Sequence, residues 1–237
     1  GYLKNINRPD DLSQNREMIF DTYKNFGTEA RYLRKYHIHK KMSAILLGAR
    51  YYQGLTRKMQ GLGDNGNDAN FTFNNKNDLE NSDFDFPGQN ISLFTENIFT
   101  ITNNFTITPG LRFEHINTQS DGYYKQSFVL DTIKRTETRQ SQRQIVLLGI
   151  GTSYYFHTEN ELYANFSQNY RGITFTDMRV ISDAYKVDPD LKDESGYNID
   201  LGVRGKVLPF INYDISLFYL AFNNKIGAIQ YYDDLYN

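Results

Sequence analysis

Apolar and polar residues alternate one for one along much of the chain. The alternation comes in runs of roughly ten residues, the period of a strand whose two faces meet different surroundings. Phe105, Ile107, Pro109, Leu111 and Phe113 are apolar, while Thr106, Thr108, Gly110, Arg112 and Glu114 between them are small, polar or charged. Ile45, Leu47, Ala49 and Tyr51 likewise oppose Ala44, Gly48 and Arg50, and Val146, Leu148, Ile150, Tyr154 and Phe156 oppose Gly149, Gly151, Ser153 and Tyr155. Leu162, Ala164 and Phe166 face away from Tyr163, Asn165, Ser167 and Asn169, and Tyr197, Ile199, Leu201 and Val203 from Asn198, Asp200, Gly202 and Arg204. Ile211, Tyr213, Ile215, Leu217 and Tyr219 form a last apolar face, whose opposite side is broken by Phe218 and Leu220. The run ISLFTENIFTI at 91–101 gives no face assignment. The pattern predicts eight strands, the first extending back to about Met18.

The connections between these strands alternate strictly in length. Short ones are predicted at His39-Lys40, Asn103-Asn104, Thr158-Glu159-Asn160 and Leu208-Pro209-Phe210. Long ones are predicted from Arg57 to Gly88, Thr118 to Ser141 and Ile173 to Glu194, far beyond the about 2 to 5 residues of ordinary hairpins. Short turns therefore gather at one end of the sheet and long loops at the other, the asymmetry of an outer-membrane barrel. A soluble sandwich has turn signals every 8 to 12 residues or so, more closely spaced than here. Strands of roughly 10 residues or more match what a tilted strand needs to cross a bilayer. The expected fold is all-β, a transmembrane antiparallel β-barrel, with residues 1–237 forming part of its wall. The Asn-, Asp- and Gly-rich stretch GLGDNGNDANFTFNNKNDLENSDFDF reads as a solvated surface loop, since Gly66 breaks the calcium-loop spacing after Asp64.

Composition narrows the possibilities further. The 237 residues carry 19 Tyr and 17 Phe but no Trp and no Cys, so disulfides and thiolate metal sites are excluded. A net charge of −2 gives no footprint for nucleic acid. Mean hydropathy is −0.62, and no apolar run reaches the 18 or so residues of a membrane helix. His37 and His39 lack a third ligand nearby, the Gly149-x-Gly151 pair runs on into strand, and no nucleophile elbow occurs, so neither catalysis nor a cofactor is expected.

Charge on the polar faces is the candidate chemistry. Arg50, Arg112 and Arg171 each lie about 8 to 12 residues beyond a short turn, in the half of the wall nearer the long loops. Arg57 continues the line of Arg50, and Arg171 opens the loop that carries Arg179. A cationic ring of this kind suits an anionic ligand. The other reading pairs these arginines with lumen carboxylates such as Glu29, Glu96, Glu114 or Asp200, or with another domain filling the lumen.

Four segments also carry a family resemblance. NNFTITPGLRFEHI resembles a barrel strand of TonB-dependent outer-membrane receptors, and ISLFTENIF resembles the strand before it, with Asn97 in place of an acid. ELYANFSQNYRGITF followed by VDPDLKDESGYNIDLGVRGK is similar to the next strand pair of that family, with Asp193 where proline is common, and INYDISLFYLAFNNKIG to the strand after it. The segments TPGLRFEHI, LGARYYQGLTRKMQGLG and DPDLKDE most resemble the ferric dicitrate receptor class. The resemblance implies a barrel of about 22 strands in the bacterial outer membrane. It also implies a plug domain and a TonB box, neither of which is found in this sequence, so an internal piece of a longer receptor is expected. The implied function is active import of a ferric chelate, iron(III) dicitrate or another siderophore. Ligand contacts would be Arg50, Arg57, Arg112, Arg171 and Arg179, and the partners the TonB-ExbB-ExbD energising complex and outer-membrane lipid. Carbohydrate import, supported by Tyr51, Tyr52, Tyr123, Tyr124 and Tyr170, and a non-transporting barrel such as an adhesin stay open.

Overall fold

The computed structural model describes residues 13–65, 69–127, 131–174, 188, 190–227 and 229. Eight strands form one sheet in which every strand neighbours the next in sequence. They are β1 (Glu17–Ile38), β2 (Lys41–Leu62), β3 (Ser82–Thr100), β4 (Phe105–Ser127), β5 (Thr132–His157), β6 (Asn160–Arg171), β7 (Glu194–Leu208) and β8 (Ile211–Asn223). The predicted short turns stand between β1 and β2, β3 and β4, β5 and β6, and β7 and β8. In the first of them His39 and Lys40 have φ of 46° and 65°. Two consecutive positive φ values give the turn whose twist matches that of the flanking strands.

Antiparallel register turns the alternation into rows. Ile150 pairs with Phe166, Phe166 with Ile199 and Ile199 with Tyr219, a continuous apolar row across β5 to β8. One residue away, Gly151, Asn165, Asp200 and Phe218 form a row on the opposite face. Phe218 and Leu220 of β8 thus stand on the polar side, beside Asp200 and Asn198. The apolar face is uncovered, with Leu217 at 74% exposure and Val146, Leu148, Leu162, Ile199 and Ile215 also open. Among the described residues only Phe73, Leu79 and Phe84 are buried hydrophobics, so the strands shield almost no apolar surface from their surroundings. Such a wall is suited to hydrocarbon and not to water.

Two of the predicted long loops are shorter in the structure than expected. The Thr118 to Ser141 segment is mostly ladder, because β4 continues to Ser127 and β5 begins at Thr132. Likewise β2 runs to Leu62 and β3 begins at Ser82, inside the predicted Arg57 to Gly88 loop. The β4 and β5 extensions have no apolar side and so no alternation to detect, and in β3 the run Asp83-Phe84-Asp85-Phe86 alternates over too few residues to mark a strand, while the ladder continues through all of them. For β3 the faces are now assigned: Phe94 lies over Gly48 of the polar face, while Ile91 and Leu93 are exposed on the other.

The chain divides into two compact units. The first comprises Gly1–Phe26, Tyr52–Gln89 and Asn117–Gln142. The β2–β3 connection within it is more than a solvated loop, because Leu79 is 1% exposed and Phe73 is also buried, both against Gly61. Backbone bonds from Asn74 to Leu62 and from Asn81 to Gln60 tie the connection to β2. Asp78 receives Lys125 and Lys134 at 2.8 Å each, and these two ammonium groups hold its carboxyl below the usual carboxylate range.

The second unit comprises Gly27–Tyr51, Asn90–Ile116 and Arg143–Asn237. Here the β6–β7 connection is fastened at its base. Arg143 of β5 holds Asp193 at 2.8 Å and the carbonyl of Ile173 at 3.1 Å, while Asp193 also accepts the Ile173 amide and the Tyr170 hydroxyl. Burial opposes ionisation of Asp193, but the hydrogen bonds from Tyr170, the Ile173 amide and Arg143 outweigh it and lower its pKa.

Two outcomes follow for a receptor carrying this chain. Leu79→Ala leaves a cavity beneath the β2–β3 connection and should cost about 2–4 kcal/mol locally, read as faster amide exchange in that connection with the remaining strands unaffected. Asp193 has a lowered pKa in the folded protein, so its contribution is complete above the ordinary carboxylate pKa and is lost as pH falls through the lower folded value. Asp193→Asn should therefore raise protease cleavage in the β6–β7 connection severalfold at neutral pH; equal cleavage in the two proteins would show that Arg143 and Tyr170 hold that base without it.

Candidate functional site

The polar face of the second unit carries a string of alternating cations and carboxylates. It begins on β1, where Glu29 receives both Arg31 and Arg50, the latter at 2.5 Å. The guanidinium of Arg31 lies 5.9 Å from the Phe94 ring centroid, and that of Arg112 lies 6.0 Å from the same ring. Arg112 in turn pairs with Glu114, which accepts a hydrogen bond from Asn90 at 3.3 Å. Arg31, Arg50 and Arg112 are thus joined through Glu29, Phe94 and Glu114. Local sequence accounts for this order, because residues two apart on a strand share a face: Glu29 with Arg31, Gly48 with Arg50, and Arg112 with Glu114. Gly48 makes room for the aromatic ring. A Cβ there would lie 2.1 Å from the tip of Phe94, so a side chain would expel the ring from between the arginines.

The remaining predicted arginines lie apart from this string. Arg171 pairs with Glu194 at 3.3 Å, its register partner on β7. Arg57, in the first unit, grips Asp83 with two bonds of 3.0 and 2.8 Å, the forked geometry that a guanidinium favours. Arg179 falls outside the described residues. Every predicted arginine that is described therefore holds a carboxylate. Glu29 and Glu114 are two of the acids named as pairing candidates from sequence, and among the described residues no salt bridge reaches Glu96 or Asp200. Arg31 and Phe94 escaped the sequence reading, although Arg31 stands two residues from Glu29 and Phe94 one turn of the alternation before Glu96.

These pairs do not exhaust the arginines. A guanidinium has five N–H donors and a carboxylate engages two at most, so Arg50 and Arg112 keep donors for a third party. Arg50 and Arg112 are 45% and 37% exposed in their side chains, open enough to offer those donors. Three arginines against two glutamates also leave the string with a positive excess. Nearer the short turns, Arg204 pairs with Glu161 at 2.7 Å and lies over the Tyr163 ring, beside a recess of about 370 Å³ that also touches Lys206 and Asp214. Among the described residues no group of three His, Asp or Glu side chains is placed to hold a metal ion.

Solved structures share this architecture. The ferric citrate transporter FecA in its unliganded form superposes with a TM-score of 0.69 at 18% identity, covering 92% of this chain and 30% of that one. The ferric-catecholate import receptor Fiu from E. coli K12 gives 0.67 at 10% identity, covering 86% and 32%. The ferric yersiniabactin uptake receptor FyuA from Yersinia pestis gives 0.60 at 13% identity, covering 87% and 29%. This chain thus spans about a third of the length of each. At such identities the likeness concerns the fold. No curated protein matches the chain in sequence. The family model described as TonB dependent receptor-like, beta-barrel matches residues 2–236. With its uncovered apolar face, its string of paired charges on the other face and its sequence-adjacent strand order, the chain belongs to the TonB-dependent receptor β-barrel family of the bacterial outer membrane.

Proposed function

We propose that this chain is part of a receptor importing a ferric chelate, iron(III) dicitrate by preference, and that Arg50, Arg112 and Arg171 meet the ligand from the lumen wall. The string from Arg31 to Arg112, with more guanidinium than carboxylate charge, is the observation that carries this reading. A chelate rich in carboxylate oxygens can take the donors that Glu29 and Glu114 leave unused, and it need not break those pairs to do so. The glutamates keep the arginines extended and pre-oriented, which lowers the entropy lost on binding. Arg57 and Arg179 are further candidate contacts for the same anionic ligand. No bond is made or broken in the ligand. A plug domain and the TonB-ExbB-ExbD complex would supply the opening step, as the family implies. Similarity to receptors named for ferric citrate, ferric catecholate and ferric yersiniabactin supports the chelate class.

Calorimetry on the full receptor tests this reading. Each of Arg50→Ala, Arg112→Ala and Arg171→Ala should weaken ferric citrate binding by roughly tenfold, the scale of a lost charge-assisted hydrogen bond. Glu29→Gln, which removes the negative charge shared by Arg31 and Arg50 but keeps an amide oxygen that can still orient them, should leave affinity equal or higher. Unchanged affinity in all three alanine variants would remove these arginines from the site. Tight binding of a neutral glycan without response to ferric citrate would move the receptor to the carbohydrate class.

A further inference from the structure

The described arginines named as ligand contacts each hold a carboxylate, whereas the side of β1 continuous with the apolar face of the sheet carries an arginine that does not. Because Glu29 and Arg31 stand on the polar face, strand alternation places Tyr32, Arg34, Tyr36 and Ile38 on the opposite side. Tyr36 confirms this placement by donating to Asn97 at 2.8 Å, on the side of β3 where Ile91 and Leu93 are exposed. Arg34 is exposed, flanked two residues away by Tyr32 and by Tyr36, and Lys40 is exposed in the adjoining turn. No described residue forms a hydrogen bond or ion pair with the Arg34 or Lys40 side chain. A charge on a lipid-facing strand position is costly in mid-bilayer and nearly neutral at the headgroup level. Arg34 precedes the end of β1 at Ile38 by four residues, which for a tilted strand is roughly 10 Å from the turn, within reach of the headgroups for a snorkelling side chain.

We infer that Arg34 and Lys40, with Tyr32 and Tyr36 beside them, form a site for the phosphate of an anionic phospholipid in the periplasmic leaflet of the outer membrane. This rests on the outer-membrane placement of the chain, in which short turns face the periplasm. Charge complementarity selects the occupant. Exposed Ile38 and the rings of Tyr32 and Tyr36 share the side of β1 that carries Arg34, no described carboxylate pairs with it, and the headgroup phosphates lie at the depth this side chain can reach. Tyr36, fixed by Asn97, gives the acyl–headgroup boundary a rigid amphipathic ring.

The test uses the full receptor, extracted in mild detergent and examined by native mass spectrometry with added phosphatidylglycerol or phosphatidylcholine. The double variant R34Q/K40Q should lose phosphatidylglycerol adducts by about tenfold, in line with the attraction of two basic residues to an anionic lipid surface. Phosphatidylcholine adducts should not change. K35Q removes the same charge from the neighbouring, polar-face position and should retain both lipids. Persistence of phosphatidylglycerol adducts in the double variant, or an equal loss in K35Q, would overturn the proposal. So would collapse of the heat-modifiable folded form of R34Q in lipid-free detergent, since the counter-charge would then be a carboxylate of another strand. Recovery of the unmodified receptor in the outer-membrane fraction checks the underlying placement separately.

Discussion

Hydrocarbon offers no water to complete a backbone hydrogen bond, so every amide and carbonyl that crosses a bilayer must be satisfied within the protein. A β-ladder meets that demand without reference to side chains. Once it is met, each strand is free to present one kind of residue outward and another inward, and the rows running across β5 to β8 show both kinds in register. The exposure of Leu148, Leu201 and Leu217 would be a liability in water; against lipid it is the stabilising arrangement.

Polar-face chemistry follows from the same alternation. Residues two apart lie side by side, so an arginine next but one to a glutamate pairs with it at little entropic cost, as Arg31 and Arg112 do with Glu29 and Glu114. Pairing lowers the cost of placing guanidinium groups on a wall partly withdrawn from solvent. It also leaves donors over, and Phe94, seated above Gly48, keeps two guanidinium groups near one aromatic ring. Binding capacity and structural charge neutralisation are therefore compatible in the same side chains.

How far the sequence revealed this depended on whether lipid had marked it. Where strands meet lipid, as in the run from Phe105 to Phe113, the strict alternation of apolar residues made strand and face legible. Beyond that band, at Thr118 to Ser127 and Thr132 to Ser141, the ladder persists without an apolar side, and the same residues resembled a loop. Arg31 was hidden because β1 mixes polar and apolar residues on both faces, and Phe94 because an aromatic on the polar side disrupts the period that would have placed it. Leu79 and Phe73 were masked by the Asn- and Asp-rich stretch around them, since burial of two side chains leaves no periodic trace. The carboxylates Glu29 and Glu114 could be nominated as partners from face alone, but choosing them over Glu96 and Asp200 required coordinates.

Sequence neighbours are sheet neighbours throughout this chain, with no crossover. The wall can therefore be assembled by zippering one hairpin onto the last, each closure spanning only a short length of chain, so its folding does not wait on distant contacts. The same order makes each hairpin a detachable module. An exchange of β6 and β7 with their connection would replace Arg171, Glu194 and Asp193 while β1 to β4 kept their register, a route by which selection could retune what is bound at one part of the wall without redesigning the rest.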